Sequence, residues 1–389
     1  MLKQPEINFV CSGRQMRLKT RIGAERTRQR SFKPRSEFNF LFRDTAGLSD
    51  GFAWERNTKL ISMLNMIYVL QILIISCTVC AMNMEAFVLG CGGMMPLPYR
   101  HLTSVLLRRD GDLFLFDGGE GTQVSLRRLN LKWKKINAIF VSHTHADHVT
   151  GLPGILMLSA QVDRTEPLYI FGPPKIAEYI ETSRKVLDMY INYPIVVNEI
   201  KAPCTVYGGD GFYIRAFPLD HTKTCVGYTL EELDRPGEFN PEEAIRLKVP
   251  RGPLWGKLQK GESVINSDGI EVKPEQVVGK ARSGRKFSFV TDTMYLPSIA
   301  KEVQGSDFLI CEGMFADDCE DQAKEKKHMT ARQAATIARD ANVKRMAMIH
   351  YSPRYTDREL DLLLKQAREV YPNAELSRDR MRVEIPYED

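Results

Sequence analysis

Four potential metal ligands fall within six consecutive positions of Ser142-His143-Thr144-His145-Ala146-Asp147-His148. The run follows the apolar segment Ile136 to Val141 and precedes Gly151-Leu152-Pro153-Gly154, the pattern of a buried strand that ends in a turn. Side chains two apart at a strand end project to the same side, so His143 and His145 can share one cation. Asp147 and His148 fall on the turn and can face a second. Imidazole with carboxylate suits zinc, whose bound water ionises near neutral pH, and manganese or iron could fill the same ligand set. A histidine-bearing surface loop is the alternative, but four ligand-type residues directly after a buried strand favour a built site. Six of the seven histidines belong to motifs of this kind, and His101 is the exception.

The chain has 389 residues and 43% hydrophobic residues, ample for one large domain or two. Its net charge of +5 is unevenly distributed. Residues 1–83 carry 13 Lys/Arg and 6 Asp/Glu, a balance of +7, which leaves −2 for the rest. Any surface that binds a polyanion on the larger part must therefore be local. The eight cysteines are scattered and read as reduced thiols of a reducing compartment, which predicts a cytoplasmic protein. Cys77-x-x-Cys80 has redox or zinc spacing but lies in an apolar run with no second pair.

Residues 1–83 read as a leader distinct from the remainder. Residues 1–59 are Arg-rich and without periodic apolar pattern, the composition of disorder. Leu60 to Met82 contains no charged residue and is long enough to span a bilayer, although Ser62, Asn65, Gln71, Ser76 and Thr78 weaken that reading. A membrane anchor, a targeting extension and translated sequence upstream of the true start all fit. The third is favoured, because Met84 to Gly90 reads as a natural first strand. Met84 is then expected to begin the functional protein, residues 84–389 being the catalytic domain, with no membrane association unless residues 60–82 are expressed.

From residue 84 onward, strands alternate with helices, an α/β pattern. Phe87 to Leu89, Ser104 to Leu107 and Leu113 to Phe116 are strand-like, with Asp110-Gly111 as a hairpin turn. Four later strands each end in an ionisable residue: Tyr213 to Phe217 runs to Asp220-His221, Phe287 to Val290 to Asp292, Phe308 to Cys311 to Glu312, and Arg345 to Ile349 to His350. A sheet whose edge loops build a site has this pattern. Thr330 to Ala341 is an amphipathic helix, opened by a Thr330/Gln333 capping box, with His328 just ahead of it. Residues 229–286, rich in Gly, Pro and charge, read as an arm inserted between two site-bearing strands. Leu254 and Trp255 argue against a plain disordered loop there.

Together these motifs resemble the metallo-β-lactamase superfamily and, within it, the ribonuclease Z family of tRNA 3′-processing endonucleases. H-x-H-x-D-H alone points only to the superfamily. The narrower resemblance rests on Pro218-Leu219-Asp220-His221 followed by Val226-Gly227-Tyr228, Thr291-Asp292-Thr293, His328-Met329-Thr330 and His350-Tyr351-Ser352-Pro353-Arg354-Tyr355. It extends to the arm, with Gly252-Pro253 and Ser283-Gly284-Arg285-Lys286. Two stretches depart from the family pattern. Tyr99-Arg100-His101 stands where Arg-Asn is usual, and Cys311-Glu312-Gly313-Met314 where His-Glu-Ala-Thr is usual. Both bear on how tRNA ends are read.

The resemblance implies an αβ/βα four-layer sandwich, two mixed sheets flanked by helices, with an inserted tRNA-binding arm. It implies two Zn2+ per subunit, the first on His143, His145, His221 and Asp292 and the second on Asp147, His148, Asp292 and His350. Asp147 would orient the nucleophile and accept its proton. His328, held by Glu312, would protonate the leaving 3′-oxygen. Precursor tRNA is the implied substrate, cut to leave a 3′-hydroxyl on the tRNA and a 5′-phosphate on the trailer, and a homodimer is the implied assembly. The arm cations Arg246, Lys248, Arg251, Lys257 and Lys260 are expected to carry RNA affinity. The rivals are a phosphodiesterase of small or cyclic nucleotides or a thioester hydrolase on the same scaffold, and a non-catalytic RNA-binding protein.

Overall fold

The computed structural model describes residues 9–11, 14–16, 83–161 and 164–388. The expected leader, including the charge-free run 60–82 and Cys77/Cys80, lies outside the described residues, apart from a short antiparallel hairpin of Phe9–Cys11 with Arg14–Met16. Among the described residues no helix is long and apolar enough to cross a membrane.

Strands β1 (Met84–Gly90), β2 (Ser104–Arg109), β3 (Asp112–Phe116), β4 (Ile136–Phe140), β5 (Leu168–Gly172) and β6 (Ile195–Glu199) lie side by side in one sheet. The second sheet holds β7 (Cys204–Gly209), β8 (Phe212–Asp220), β9 (Thr224–Glu232), β10 (Lys286–Val290), β11 (Phe308–Glu312), β12 (Met346–Ile349) and β13 (Ala374–Leu376). The last strand, β14 (Arg382–Glu384), returns to the first sheet beside β1, giving seven strands in each. Both sheets are mixed. β1, β2 and β3 pair antiparallel and β3 to β6 parallel, while β7 to β10 pair antiparallel and β10 to β13 parallel.

Helices cover the outer faces. They include α1 (Thr122–Arg128), α2 (Ala146–Val149), α3 (Leu152–Ala160) and α4 (Ile176–Val186) beside the first sheet. The alternation of side chains explains the layering. In β1, Met84, Ala86 and Val88 enter the core between the sheets, whereas Phe87 and Leu89 pack under helices. β3 divides likewise, Phe114 and Phe116 inward and Leu113 and Leu115 outward. Strands buried on both faces need such near-continuous apolar runs.

The sheets meet through aromatic rings. Phe116 and Phe140 of the first sheet stack at 5.2 Å between centroids. Phe116 also touches Tyr228, Phe287 and Phe289 of the second sheet at 5.9, 5.3 and 5.6 Å.

The arm is ordered and shorter than the expected 229–286. Thr229 to Glu232 belong to β9 and Lys286 to β10, because Glu231 still pairs with Lys286 and Leu230 is buried. The segment between them carries α5 (Pro241–Arg246), α6 (Pro253–Gln259) and a small hairpin, Val264–Ile265 with Glu271–Val272. Ala244, Val249, Leu258, Val264, Val272 and Val277 form a cluster of their own, onto which Leu254 and Trp255 pack. Beyond the arm, α7 (Ala331–Asp340) buries Ala334, Ala335, Ile337 and Ala338, and α8 (Leu360–Arg368) packs beside it. The Thr330/Gln333 capping box forms, with Thr330 Oγ1 accepting from Gln333 N at 3.2 Å and Gln333 Oε1 from Thr330 N at 3.0 Å.

Phe116→Ala is expected to lower unfolding stability by about 3–5 kcal/mol, read from urea transitions, because it empties the contact between the sheets. Phe116→Leu should cost less.

Candidate metal centre

Strand ends from both sheets converge on one place. His143 and His145 follow β4, and Asp147 and His148 lie on α2. His221 follows β8, Asp292 follows β10 and His350 follows β12. Glu312 ends β11, and His328 stands two residues before the Thr330 cap of α7. The left-handed backbone at Asp292 (φ 43°) and His350 (φ 62°) turns each chain sharply as it leaves its strand.

The side chains form two connected clusters. One donor atom from each of His143, His145, His221 and Asp292 lies within 4.8 Å of the others, and the same holds for Asp147, His148 and His350. Asp292 divides its oxygens between them. Oδ2 lies 3.6 Å from His143 Nε2 and 3.7 Å from His221 Nε2, whereas Oδ1 lies 3.2 Å from His148 Nε2 and 3.3 Å from His350 Nε2. Asp292, His328 and His350 form a third grouping of this kind, although His328 Nδ1 is already committed to Glu312.

The donors fit metal ions. Zinc–nitrogen bonds of about 2.0–2.1 Å put neighbouring ligands of a tetrahedron about 3.3 Å apart. Here His143 Nε2 and His145 Nδ1 are 2.8 Å apart, and His145 Nδ1 and His221 Nε2 3.1 Å. His148 Nε2 and His350 Nε2 are 3.2 Å apart, with Asp147 Oδ2 at 3.3 Å from His350 Nε2.

The far nitrogens are anchored. His148 Nδ1 lies 2.7 Å from Asp117 Oδ2, His221 Nδ1 3.0 Å from the Lys327 carbonyl, and His143 Nδ1 3.0 Å from Ser142 Oγ, which itself donates to Asp117 Oδ2. Such partners fix ring orientation and ligand basicity. His350 is held differently. A β-carbon on Gly93 would come within 2.6 Å of its ring, so only glycine leaves the imidazole its place.

The electrostatics favour a bound positive charge. Burial and neighbouring imidazoles push His143 well below its usual range and His145 down to about 4, so both present free lone pairs at neutral pH. Burial opposes charge on His148, yet the Asp292, Asp117 and Asp147 carboxylates hold its pKa well up. Asp147 and Asp292 stay ionised, held below the carboxylate range by surrounding histidines although burial pushes the other way. At His328 burial likewise opposes charge, but Glu312 at 3.0 Å lifts its pKa to about 9.

All nine site residues named from the sequence are brought together here. His101 is not among them: its Nδ1 lies 3.0 Å from Ser125 Oγ. Asp117, which bonds Ser142 and His148, is a further residue of the centre that the motifs do not mark. Its position at the end of an apolar strand, like the other four, was the available signal. Arg100, one of the departures from the family pattern, turns inward: it is 2% exposed and reaches Asp357 at 2.6 Å. An open groove of about 610 Å3 runs from Thr144, beside His145, along α4 past Lys175, Tyr179 and Val186.

This fold and this centre define a metallo-β-lactamase-fold hydrolase. Residues 84–185 match the family described as anti-Pycsar protein Apyc1, and residues 267–351 match the β-lactamase superfamily domain. Human tRNase Z, short form, superposes with a TM-score of 0.57 at 24% identity, over 78% of this chain and 99% of that one. Ribonuclease Z of Treponema denticola is 70% identical over 308 residues, 79% of this chain and 100% of the relative. The enzymes of Treponema pallidum and Borrelia hermsii are 67% and 42% identical, over 79% and 78% of this chain and 99% and 97% of their own lengths. The chain belongs to the ribonuclease Z family, hydrolytic endoribonucleases of that fold.

Asp117→Asn is expected to weaken metal affinity roughly 10–100-fold while leaving the fold intact, because His148 loses its anionic partner. Competition against a chelating indicator measures this.

Proposed function

We propose that this protein is a zinc-dependent endoribonuclease that removes 3′ trailers from precursor tRNA, leaving a 3′-hydroxyl on the tRNA and a 5′-phosphate on the trailer. The observation that carries the reading is one chain joining a complete two-cluster centre to an arm with its own core, at 70% identity to a named ribonuclease Z.

His143, His145, His221 and Asp292 would hold one ion, and Asp147, His148, Asp292 and His350 the other. Two ions there would acidify a water and neutralise charge growing on the phosphoryl oxygens. Asp147 is suited to orient that water and take its proton. Its Oδ2 accepts Met94 N–H at 2.7 Å, and the side chain is 12% exposed, at the mouth of the site. His328 is suited to protonate the leaving 3′-oxygen. Glu312, fully buried and also bonded to Thr293 N–H, keeps its imidazole charged and oriented.

Phosphate contacts supply most of the affinity for a polynucleotide. On the arm, Arg251, Lys257 and Lys260 are exposed and suited to that role, whereas Arg246 and Lys248 already pair with Glu243 and Asp268. Exposed Val186, Leu187 and Tyr190 near the groove suit the contact of a homodimer, which light scattering tests. Cys91, Cys225, Cys311 and Cys319 are thiols rather than disulfides, which suits a reducing, cytoplasmic setting.

The deciding experiment incubates zinc-loaded protein with 3′-extended precursor tRNA and maps the ends. One cut near the discriminator base, absent in His145→Ala, is expected. No cut, with brisk turnover of a small phosphodiester, would mean a small-nucleotide phosphodiesterase instead.

Two variants extend the test. His328→Ala should retain both metals by elemental analysis yet lose about 10²–10⁴-fold in turnover, and loss of metal with activity would make it a ligand. Replacing residues 236–281 by a short glycine link, where Arg235 and Arg282 already exchange backbone hydrogen bonds at 2.8 and 2.9 Å, should abolish tRNA binding and spare hydrolysis of a small phosphodiester.

A further inference from the structure

The arm leaves the body through a root tied by charge. Glu232 ends β9, and Arg285 directly precedes β10. The Arg285 guanidinium donates from Nε to Glu232 Oε2 at 2.8 Å and from Nη2 to Oε1 at 2.9 Å, with both side chains 2% exposed. Arg109, from β2 in the other sheet, adds Nε to Oε1 at 2.7 Å. One carboxylate thus holds two guanidiniums and ties the arm's root to both sheets. Apolar residues of equal volume would stabilise such a place as well or better. What a bidentate fork supplies in addition is a fixed direction.

The chain after β14 completes the root. The guanidinium carbons of Arg235 and Arg285 lie 3.4 and 3.8 Å from the centre of the Tyr387 ring, within cation–π range. Arg285 Nη1 also donates to the Ile385 carbonyl at 3.1 Å. Backbone packing is equally close, because a β-carbon on Gly284 would lie 2.3 Å from the Glu232 carbonyl. Past this root, the head of the arm packs around a cluster separate from the body's cores.

We propose that Glu232 and Tyr387 are positioning residues for polynucleotide substrates. They set the angle at which the arm leaves the body, and so hold its phosphate-binding head at a fixed span from the centre where the bond is cut. The inference rests on the reading that the arm binds tRNA. Arg285 and Asp292 flank opposite ends of β10, roughly 20 Å apart at about 3.3 Å per strand residue, so the root does not touch the chemistry.

The test compares the full-length, zinc-loaded protein with its Tyr387→Ala and Tyr387→Phe variants. The substrates are precursor tRNA and bis(p-nitrophenyl) phosphate, and each melting temperature is recorded. Tyr387→Ala should raise KM for precursor tRNA by about 10-fold with kcat nearly unchanged, the signature of lost uniform binding. Turnover of the small phosphodiester should not move. Tyr387→Phe, which keeps the ring under the guanidiniums but loses the hydroxyl's hydrogen bond to Glu232, should restore most of the wild-type KM. Glu232→Gln should repeat the split more strongly. An unchanged KM in Tyr387→Ala would overturn the proposal, as would equal losses on both substrates. Wild-type protein inert toward precursor tRNA would overturn the functional reading and this proposal together. Normal wild-type cleavage with indifferent variants would overturn the positioning role alone.

Discussion

Two hydrogen bonds between the sheets govern the centre. Tyr228 of β9 donates its hydroxyl proton to the Val141 carbonyl at 2.7 Å, and Val226 N donates to the Ser142 carbonyl at 3.0 Å. Val141 and Ser142 lead directly into His143. The first sheet supplies His143, His145, Asp147 and His148, and the second supplies His221, Asp292 and His350. Neither sheet alone carries all the donors of either cluster. Those two bonds therefore register the halves against each other, and the ring cluster around Phe116 keeps them pressed together.

Charge explains why so many ionisable groups tolerate burial. Asp292 is 2% exposed, Asp117 0% and His143 0%. Isolated, each would be costly to bury. Assembled, carboxylates and imidazoles alternate, and each carboxylate lowers the cost of a positive charge nearby. Asp117 illustrates the economy of the arrangement. It accepts from Ser142 N and Ser142 Oγ at 2.7 Å each while facing His148 Nδ1 at 2.7 Å, so one side chain orders both the approach to the cluster and one of its rings.

The legible parts of this design are those written locally. H-x-H-x-D-H, the capping box at Thr330 and the ionisable residues at strand ends are all short-range patterns, and each stands where the sequence puts it. The layered fold was implied by the family resemblance, whereas the strand-like runs by themselves indicated only an α/β pattern. The segment between β9 and β10 packs on a cluster of its own, and its ends fall inside 229–286 because β9 pairs on past the point where its composition changes. The unread features depend on partners far apart in the chain. Asp117 meets His148 across 31 residues, Arg285 meets Glu232 across 53, and Arg100 meets Asp357 across 257. No local pattern marks such pairs, since each arises only once the sheets have formed.

The separate core of the arm has a consequence for the history of such a chain. Val249, Leu258, Val264 and Val272 pack on one another and not on the catalytic body. Mutations that reshape the head therefore need not disturb the His/Asp clusters, and a damaged head need not unfold the enzyme. Arm and body can then drift at different rates, so a lineage could remodel one while inheriting the other unchanged.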